Sequence, residues 1–169
     1  MAARAESGQD VNQSDLEQVL EFLKAFGDRF HQGREECVLF PALLIDRDQK
    51  HYPQLCGLVF QHNRERFLVD GLCECLAAKN ARDFIHQARK LDEILLGHLR
   101  EEEEVLFPLA AAALSPAEDE RVFSEMQGFD AAWQKRELSG QLQNLAQLES
   151  KYVSPRVATP PQPRFMRAR

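Results

Sequence analysis

The sequence predicts an all-α protein, an antiparallel bundle of amphipathic helices. Three observations support this fold class. Apolar residues recur at steps of three and four along several long segments, start and stop signals separate these segments, and none shows the alternation or the hairpin signals of strands. The chain has 169 residues, 44% of them hydrophobic, which is enough for one domain with a core. Long helices joined by short loops favour antiparallel neighbours.

The first two helices are predicted from their end signals. The first begins at Ser14, because residues 14–17 form a capping-box pattern, and Pro41 marks its last turns. The second begins near Pro53 and ends at Lys79-Asn80. The apolar face of the first helix consists of Leu16, Leu20, Leu23, Phe26 and Phe30. The predicted buried stripe of the second consists of Leu55, Val59, His62, Arg66, Val69, Cys73 and Leu76.

The rest of the chain predicts three more helices. A third runs over about residues 81–114, a fourth starts with the capping pattern of residues 115–118 and ends at Gly128, and a fifth spans Asp130 to Tyr152. The third carries the stripe Phe84, Ala88, Leu91, Leu95, His98, Glu102, Val105 and Leu109. The predicted organisation is a flexible N-terminus 1–13, a helical bundle 14–128, a C-terminal amphipathic helix 129–152 and a disordered basic tail 153–169.

Charge and composition restrict the partners and the compartment. The net charge of −6 argues against nucleic acid or an anionic membrane surface, since both attract a basic face. No apolar run approaches the roughly 20 residues needed to span a bilayer. No secretory pattern is visible at the N-terminus, and the four cysteines show no CxxC spacing. We therefore expect reduced thiols and a cytoplasmic protein.

One internal repeat carries the functional signal. Residues 31–41 read HQGREECVLFP and residues 98–108 read HLREEEEVLFP. Seven positions are identical, in the pattern H-x-x-x-E-E-x-V-L-F-P. The two copies lie on different predicted helices, which suggests two similar elements around one site.

The residue types in this repeat favour a metal site. A histidine and a glutamate four residues later share one helix face, and here that face is the apolar stripe. A carboxylate buried there must be protonated, paired with a cation or bound to a metal. Imidazoles and carboxylates that project inward from several helices build di-iron or di-manganese sites in bundles. The candidate ligands are His31, Glu35, His62, His98 and Glu102.

Simpler explanations exist for each residue alone. A single core histidine is most often only hydrogen-bonded, and the glutamates of residues 101–104 alone resemble a solvated charge run. Three histidines on the stripes of three helices, two of them followed by a glutamate, favour metal binding instead. His51 and His86 lie off these stripes, and we expect both on the surface.

The pattern resembles the hemerythrin-like (HHE cation-binding) family. The resemblance rests on FHQGREECVLFP, QHNRERF and HLREEEEVLFP and covers about residues 14–125. It implies a four-helix bundle with a non-haem di-iron centre whose glutamates bridge the metals. The ligands that it implies are His31, Glu35, His62, His98 and Glu102. Family members handle oxygen, nitric oxide or peroxide, sense iron or oxygen, or assist iron–sulfur repair.

The chain also departs from the family pattern. The first thirty residues contain no histidine, so the family's first helix and its ligand are expected to be missing. Arg66 occupies the position, one turn after His62, where the oxygen-carrying members have another histidine. Relatives often have the pair HH where this chain has His31-Gln32. They often have the pair EH where it has Gln61-His62. Three imidazoles and two carboxylates remain, which suits one iron ion, two with water ligands, or none.

Two hypotheses follow. The first is a non-haem iron protein that binds or senses oxygen, nitric oxide or peroxide at an open coordination position. No residue resembles a separate catalytic nucleophile or base, so binding or sensing is expected rather than enzymatic turnover. The second is a degenerate, metal-free helical interaction module.

The missing helix would leave an apolar side open beside the site. We expect the chain's own C-terminal helix to cover it, the alternative being a second copy in a homodimer. No histidine follows His98, so the replacement ligand would be a carboxylate from the C-terminal part or else water. The candidates are Glu125, Asp130 and Glu137. Without metal, we expect Glu35 and Glu102 to take up protons, since desolvation and like charge raise a carboxylate pKa.

Overall fold

The computed structural model describes residues 11–44, 50–134 and 138–153, and these residues form five helices. The helices are α1 (13–44), α2 (Tyr52–Ala77), α3 (81–113), α4 (Pro116–Gln134) and α5 (Leu138–Tyr152). No strand occurs in these ranges, which confirms the all-α class. None of the helices described is long and apolar enough to cross a membrane. Most of the predicted N-terminal segment and basic tail lie outside the described residues.

The start of α1 differs from the prediction by one residue. The side chain of Asn12 accepts a hydrogen bond from the backbone N–H of Ser14 at 2.9 Å, so Asn12 rather than Ser14 is the N-cap. Glu17 does not reach back to the cap, because it accepts from the side-chain amide of Gln13 at 3.0 Å. An asparagine cap serves as well as a serine one.

The predicted starts of α2, α3 and α4 are confirmed. Pro53 lies in the first turn of α2. Asn80 caps α3 by accepting from the backbone N–H of Asp83 at 3.2 Å. At the start of α4, Glu118 accepts from the backbone N–H of Ser115 at 2.8 Å, and Ser115 Oγ accepts from the N–H of Glu118 at 3.4 Å. These two bonds form the reciprocal capping box that the sequence predicted.

Both copies of the repeat contain a π-helical turn, at Glu35–Leu39 and Glu102–Leu106. Each turn is followed closely by a proline, Pro41 or Pro108. Proline lacks an N–H and its ring crowds the carbonyl four residues earlier, and a wider turn accommodates both effects. α1 is described to Leu44, three residues beyond Pro41, so Pro41 lies in its last described turn as the sequence predicted.

The C-terminal helices are arranged differently from the prediction. Gly128 does not end α4, which runs on to Gln134, and the fifth helix is described only from Leu138. α4 packs beside the first copy of the repeat: the ring of Phe30 lies 6.3 Å from that of Phe129 and 5.5 Å from that of Trp133.

α5 packs against the first turns of α1 rather than beside the repeat. Leu148 is buried there, and Asp15 accepts from Lys151 Nζ and Tyr152 Oη, each at 2.5 Å. The predicted C-terminal segment 129–152 is therefore divided: residues 129–134 pack beside the repeat as the end of α4, and the leucine stripe expected to cover the site lies on α5 instead.

Two apolar clusters form the core, and two buried polar residues of α2 lie between them. Leu55 and Leu58 belong to the first cluster, and Leu68 and Leu72 belong to the second. The buried residues of α2 between them are polar, His62 and Glu65. A layer of buried polar side chains therefore crosses the bundle between two apolar regions.

Candidate metal centre

Four of the five predicted ligands meet in this polar layer. The ligand atoms of His31 and Glu35 from α1 and of His98 and Glu102 from α3 all lie within 4.8 Å of one another. Glu35, His98 and Glu102 are buried, and His31 is partly exposed. Glu102 Oε1 is central, since it lies 3.0 Å from His31 Nε2 and 2.8 Å from His98 Nε2.

The fifth predicted ligand, His62, joins the group through Glu35. It comes from α2 and is fully buried. Its Nε2 atom lies 3.3 Å from Glu35 Oε2, and its ring meets that of His98 edge-to-face with centroids 4.8 Å apart. The structure therefore brings all five predicted residues into one layer.

Hydrogen bonds to two residues that are not predicted ligands, Glu36 and Gln61, fix the orientation of two imidazoles. His62 Nδ1 lies 2.7 Å from Glu36 Oε1, and His98 Nδ1 lies 2.9 Å from Gln61 Oε1. Carboxylate and amide oxygens only accept, so each Nδ1 carries the proton and donates it. When the ring is neutral, each Nε2 then presents its lone pair to the centre of the cluster. Metal-binding histidines typically show such an outer partner.

The inner atoms of the cluster lack hydrogen-bond partners. His62 Nε2 and Glu35 Oε2 are buried and make no hydrogen bond, and neither does His98 Nε2, although it lies 2.8 Å from Glu102 Oε1. A neutral Nε2 and a carboxylate oxygen about 3 Å apart present lone pairs to each other, so a proton or a cation must lie between them. Ligand atoms bound at about 2.0–2.2 Å to one ion are spaced about 3 Å from their neighbours. The donor set and its spacing therefore fit a metal ion.

The close contacts in the cluster shift the pKa values of its members. Burial would raise the pKa of Glu102, but the neighbouring imidazoles of His31 and His98 outweigh it and lower the pKa to about 2. The hydrogen bond to Glu102 raises the pKa of His31. Burial opposes the charge of His98, yet Glu102 and the other nearby carboxylates raise its pKa overall. The expectation that Glu102 takes up a proton without metal is therefore wrong, because the two histidines hold the protons instead.

A further buried carboxylate beside the cluster, Glu65, was not predicted from the sequence. Its side chain lies on α2 one turn after His62 and accepts from Gln32 Nε2 at 2.6 Å. Burial raises the pKa of Glu65. The spacing of three residues between His62 and Glu65 was a signal for it, because such residues share a helix face. The predicted stripe placed Arg66 inward instead, whereas Arg66 lies half-buried and donates to Asp28 and Glu36.

The carboxylates expected from the C-terminal part do not enter the cluster. Glu125 is exposed and pairs with Arg121 at 3.7 Å, and Asp130 pairs with Arg34 at 3.2 Å. Glu137 lies outside the described residues. Of the two histidines expected on the surface, His86 is exposed and His51 is half-buried at the start of α2.

Comparison with known families identifies this arrangement. A sequence profile described as the hemerythrin HHE cation-binding domain matches residues 1–110, which is more than half of the chain. The chain belongs to the hemerythrin HHE cation-binding family. The match contains every residue of this hemerythrin-like cluster, including Glu65 and Gln32. No curated protein and no solved structure matched the chain.

Proposed function

We propose that this hemerythrin-like protein is a non-haem iron protein that binds or senses oxygen, nitric oxide or peroxide. The residues that would hold iron are His31, Glu35, His62, His98 and Glu102. The observation that supports this most strongly is the set of inward-facing imidazole and carboxylate atoms, buried and without partners, in one layer of the bundle.

The ligand types favour iron over magnesium and calcium. The cluster offers imidazoles and carboxylates but no thiolate, and mixed histidine–carboxylate sites with open positions are typical of non-haem iron. Magnesium and calcium prefer sets made only of oxygens. When bound, iron supplies redox chemistry and an open coordination position for a small ligand.

The space beside the polar layer is large enough to admit a small ligand, although none of the five proposed ligands lines it. A partly open cavity of about 230 Å³ lies between α1, α2 and α3. Gln32 and Glu65 form part of its lining, together with the apolar side chains of Val69, Leu91 and Leu95. This space is much larger than a diatomic molecule or peroxide, so its size admits such ligands without selecting for them.

Nitric oxide binding tests this function. The full chain would be loaded anaerobically with Fe(II), titrated with nitric oxide, and followed by visible absorption and electron paramagnetic resonance. We expect a spectral change that saturates at a fixed ratio of nitric oxide to protein and is absent in the double variant His98→Ala/Glu102→Ala. His86→Ala is the control, because His86 is exposed and outside the cluster. An unchanged response in the double variant would contradict the proposal.

The second candidate is a metal-free helical interaction module, and one surface feature favours it. Phe60 and Phe67 lie two turns apart on α2 and are 63% and 77% exposed. Exposed aromatic side chains on one helix face are typical of protein contacts. This candidate requires a protein that folds fully and remains equally stable with and without iron.

A further inference from the structure

Glu65 is the one buried carboxylate near the cluster that the proposed iron site leaves unexplained among the described residues. Its side chain is only 4% exposed. One oxygen, Oε2, accepts from Gln32 Nε2 at 2.6 Å, and the other, Oε1, is buried without a hydrogen-bond partner. An unpartnered carboxylate oxygen in a bundle core carries a substantial desolvation cost. The structure must therefore offset this cost in another way.

Glu65 faces the imidazoles of the cluster. It lies one turn after His62 on α2, so the two side chains share a helix face. Its carboxylate interacts electrostatically with His98, His62 and His31. Gln32, which directly follows His31, holds the carboxylate in place and has its own buried, unpartnered oxygen, Oε1.

The cluster divides into two groups of donors. Glu102 Oε1 joins His31 and His98 on the side of α1 and α3. His62 Nε2 approaches only Glu35 Oε2 among the predicted carboxylates, at 3.3 Å. A cation at His62 and Glu35 alone would have two protein ligands, which is few for a stable site. An additional carboxylate on the α2 side would complete it.

We propose that Glu65 is a further metal ligand, and that it forms a second metal position with His62 and Glu35. Gln32 is a positioning residue that orients Glu65 through its amide. The proposal rests on the proposed iron-binding function and adds a ligand that the repeat motif does not contain. With Glu65 the layer offers three imidazoles and three carboxylates, a donor set of the size that paired-metal bundles use.

Metal stoichiometry tests the assignment without any assay of activity. The metal-free full chain would be titrated anaerobically with Fe(II), and bound iron would be counted by elemental analysis after removal of free ions. We expect two ions per chain in the wild type and one in Glu65→Gln. Glu74→Gln is the matched control, because Glu74 lies on the same helix but is exposed, and we expect it to retain two.

Two further measurements cover the case in which Glu65→Gln does not fold. Glu65→Asp keeps the charge but withdraws the oxygens by one methylene, and we expect it to bind the second ion more weakly than the wild type. In the protein loaded with Mn(II), we expect the magnetic resonance signal of an exchange-coupled pair in the wild type and that of isolated ions in Glu65→Asp. Equal affinity of both ions in Glu65→Asp and the wild type would overturn the inference.

The outcomes separate this inference from the proposed function. If the wild type and Glu65→Gln bind the same number of ions with equal affinity, Glu65 is not a ligand, and the iron-binding function stands. If the wild type binds no ion, both proposals fail. Loss of one ion in Glu65→Gln but not in Glu74→Gln supports the inference.

Discussion

His62 Nδ1 lies 2.7 Å from Glu36 Oε1, and Arg66 Nη2 donates to that same oxygen at 2.8 Å. Glu36 is the second glutamate of the first repeat copy, and its counterpart in the second copy, Glu103, is exposed. The repeat therefore uses its second glutamate in only one copy. Burial would raise the pKa of Glu36, but the hydrogen bonds from His62 and Arg66 lower it overall, so it remains a charged acceptor.

Removal of this outer carboxylate should weaken metal binding without unfolding the protein. We expect Glu36→Ala to lower iron affinity by roughly 10- to 100-fold, because His62 loses the partner that fixes its tautomer and ring orientation. Glu103→Ala is the matched control and should bind iron like the wild type. Competition with a chelator of known affinity measures the change. Equal affinities in the two variants would refute this role for Glu36.

The stability of the metal-free protein should depend on pH through the same cluster. The raised pKa of His31 and His98 stabilises the fold below about pH 6.5 and ceases to do so as pH rises through their folded values. The lowered pKa of Glu102, about 2, stabilises the fold above about pH 4.5 and is lost as pH falls toward that value. The stabilisation from this ion pair is therefore greatest between these limits.

Urea unfolding of metal-free wild type and Glu102→Gln measures this effect. We expect the difference in unfolding free energy between them to be larger at about pH 5.5 than at about pH 8.5. Glu104→Gln, an exposed neighbour, should show no such trend. Bound metal should reverse the dependence, since it requires deprotonated ligands. A difference that grows toward pH 8.5 in the metal-free protein would count against the ion pair.

The contact between α1 and α4 can be followed through Trp133, the single tryptophan of the chain. Phe30 is buried and packs 5.5 Å from its ring. We expect Phe30→Ala to shift the tryptophan emission to longer wavelength and to cost about 3–5 kcal/mol of stability, as a buried aromatic truncation does. Phe67→Ala removes a side chain that is 77% exposed and should change neither quantity. An unshifted emission in Phe30→Ala would exclude this packing.

Hydrogen bonds from Lys151 and Tyr152 to Asp15 hold α5 against the start of α1. Tyr152 donates to Asp15 at 2.5 Å, and we expect Tyr152→Phe to lower the melting temperature by roughly 2–4 °C. Tyr52→Phe alters an exposed tyrosine and serves as the control. Iron content should not change in either variant, because α5 packs on the first turns of α1. A loss of iron in Tyr152→Phe would place α5 nearer to the site than the structure does.

Much of the fold follows from local signals. The proline in α2, the asparagine before α3 and the capping box at Ser115 act within one turn of their helices, so sequence alone predicts them. Gly128 was misleading because a glycine inside a helix costs only about 1 kcal/mol, which packing of the following aromatic residues offsets.

Site residues that follow from the pattern of a single helix could be predicted from the sequence. Residues whose position depends on packing between two helices could not. Two stripes of α2 share Leu55, His62 and Val69 but differ in the positions between them. Leu58 and Leu72 suit one stripe and Val59 and Cys73 the other, so periodicity cannot choose. Packing against α1 and α3 selects the first stripe and with it Glu65. The hydrogen-bond partners Glu36 of His62 and Gln61 of His98 could not be predicted either, because each of these bonds joins two helices.

Iron content of the full chain, purified without chelators, tests the metal centre most directly. Wild type and the exposed-site control His86→Ala should both retain iron in a fixed ratio to protein, measured by elemental analysis. The double variant His31→Ala/Glu102→Ala should retain almost none, because Glu102 Oε1 lies within 3.0 Å of both His31 and His98 and connects α1 to α3. Full iron occupancy in the double variant, or none in the wild type after anaerobic loading, would contradict the account.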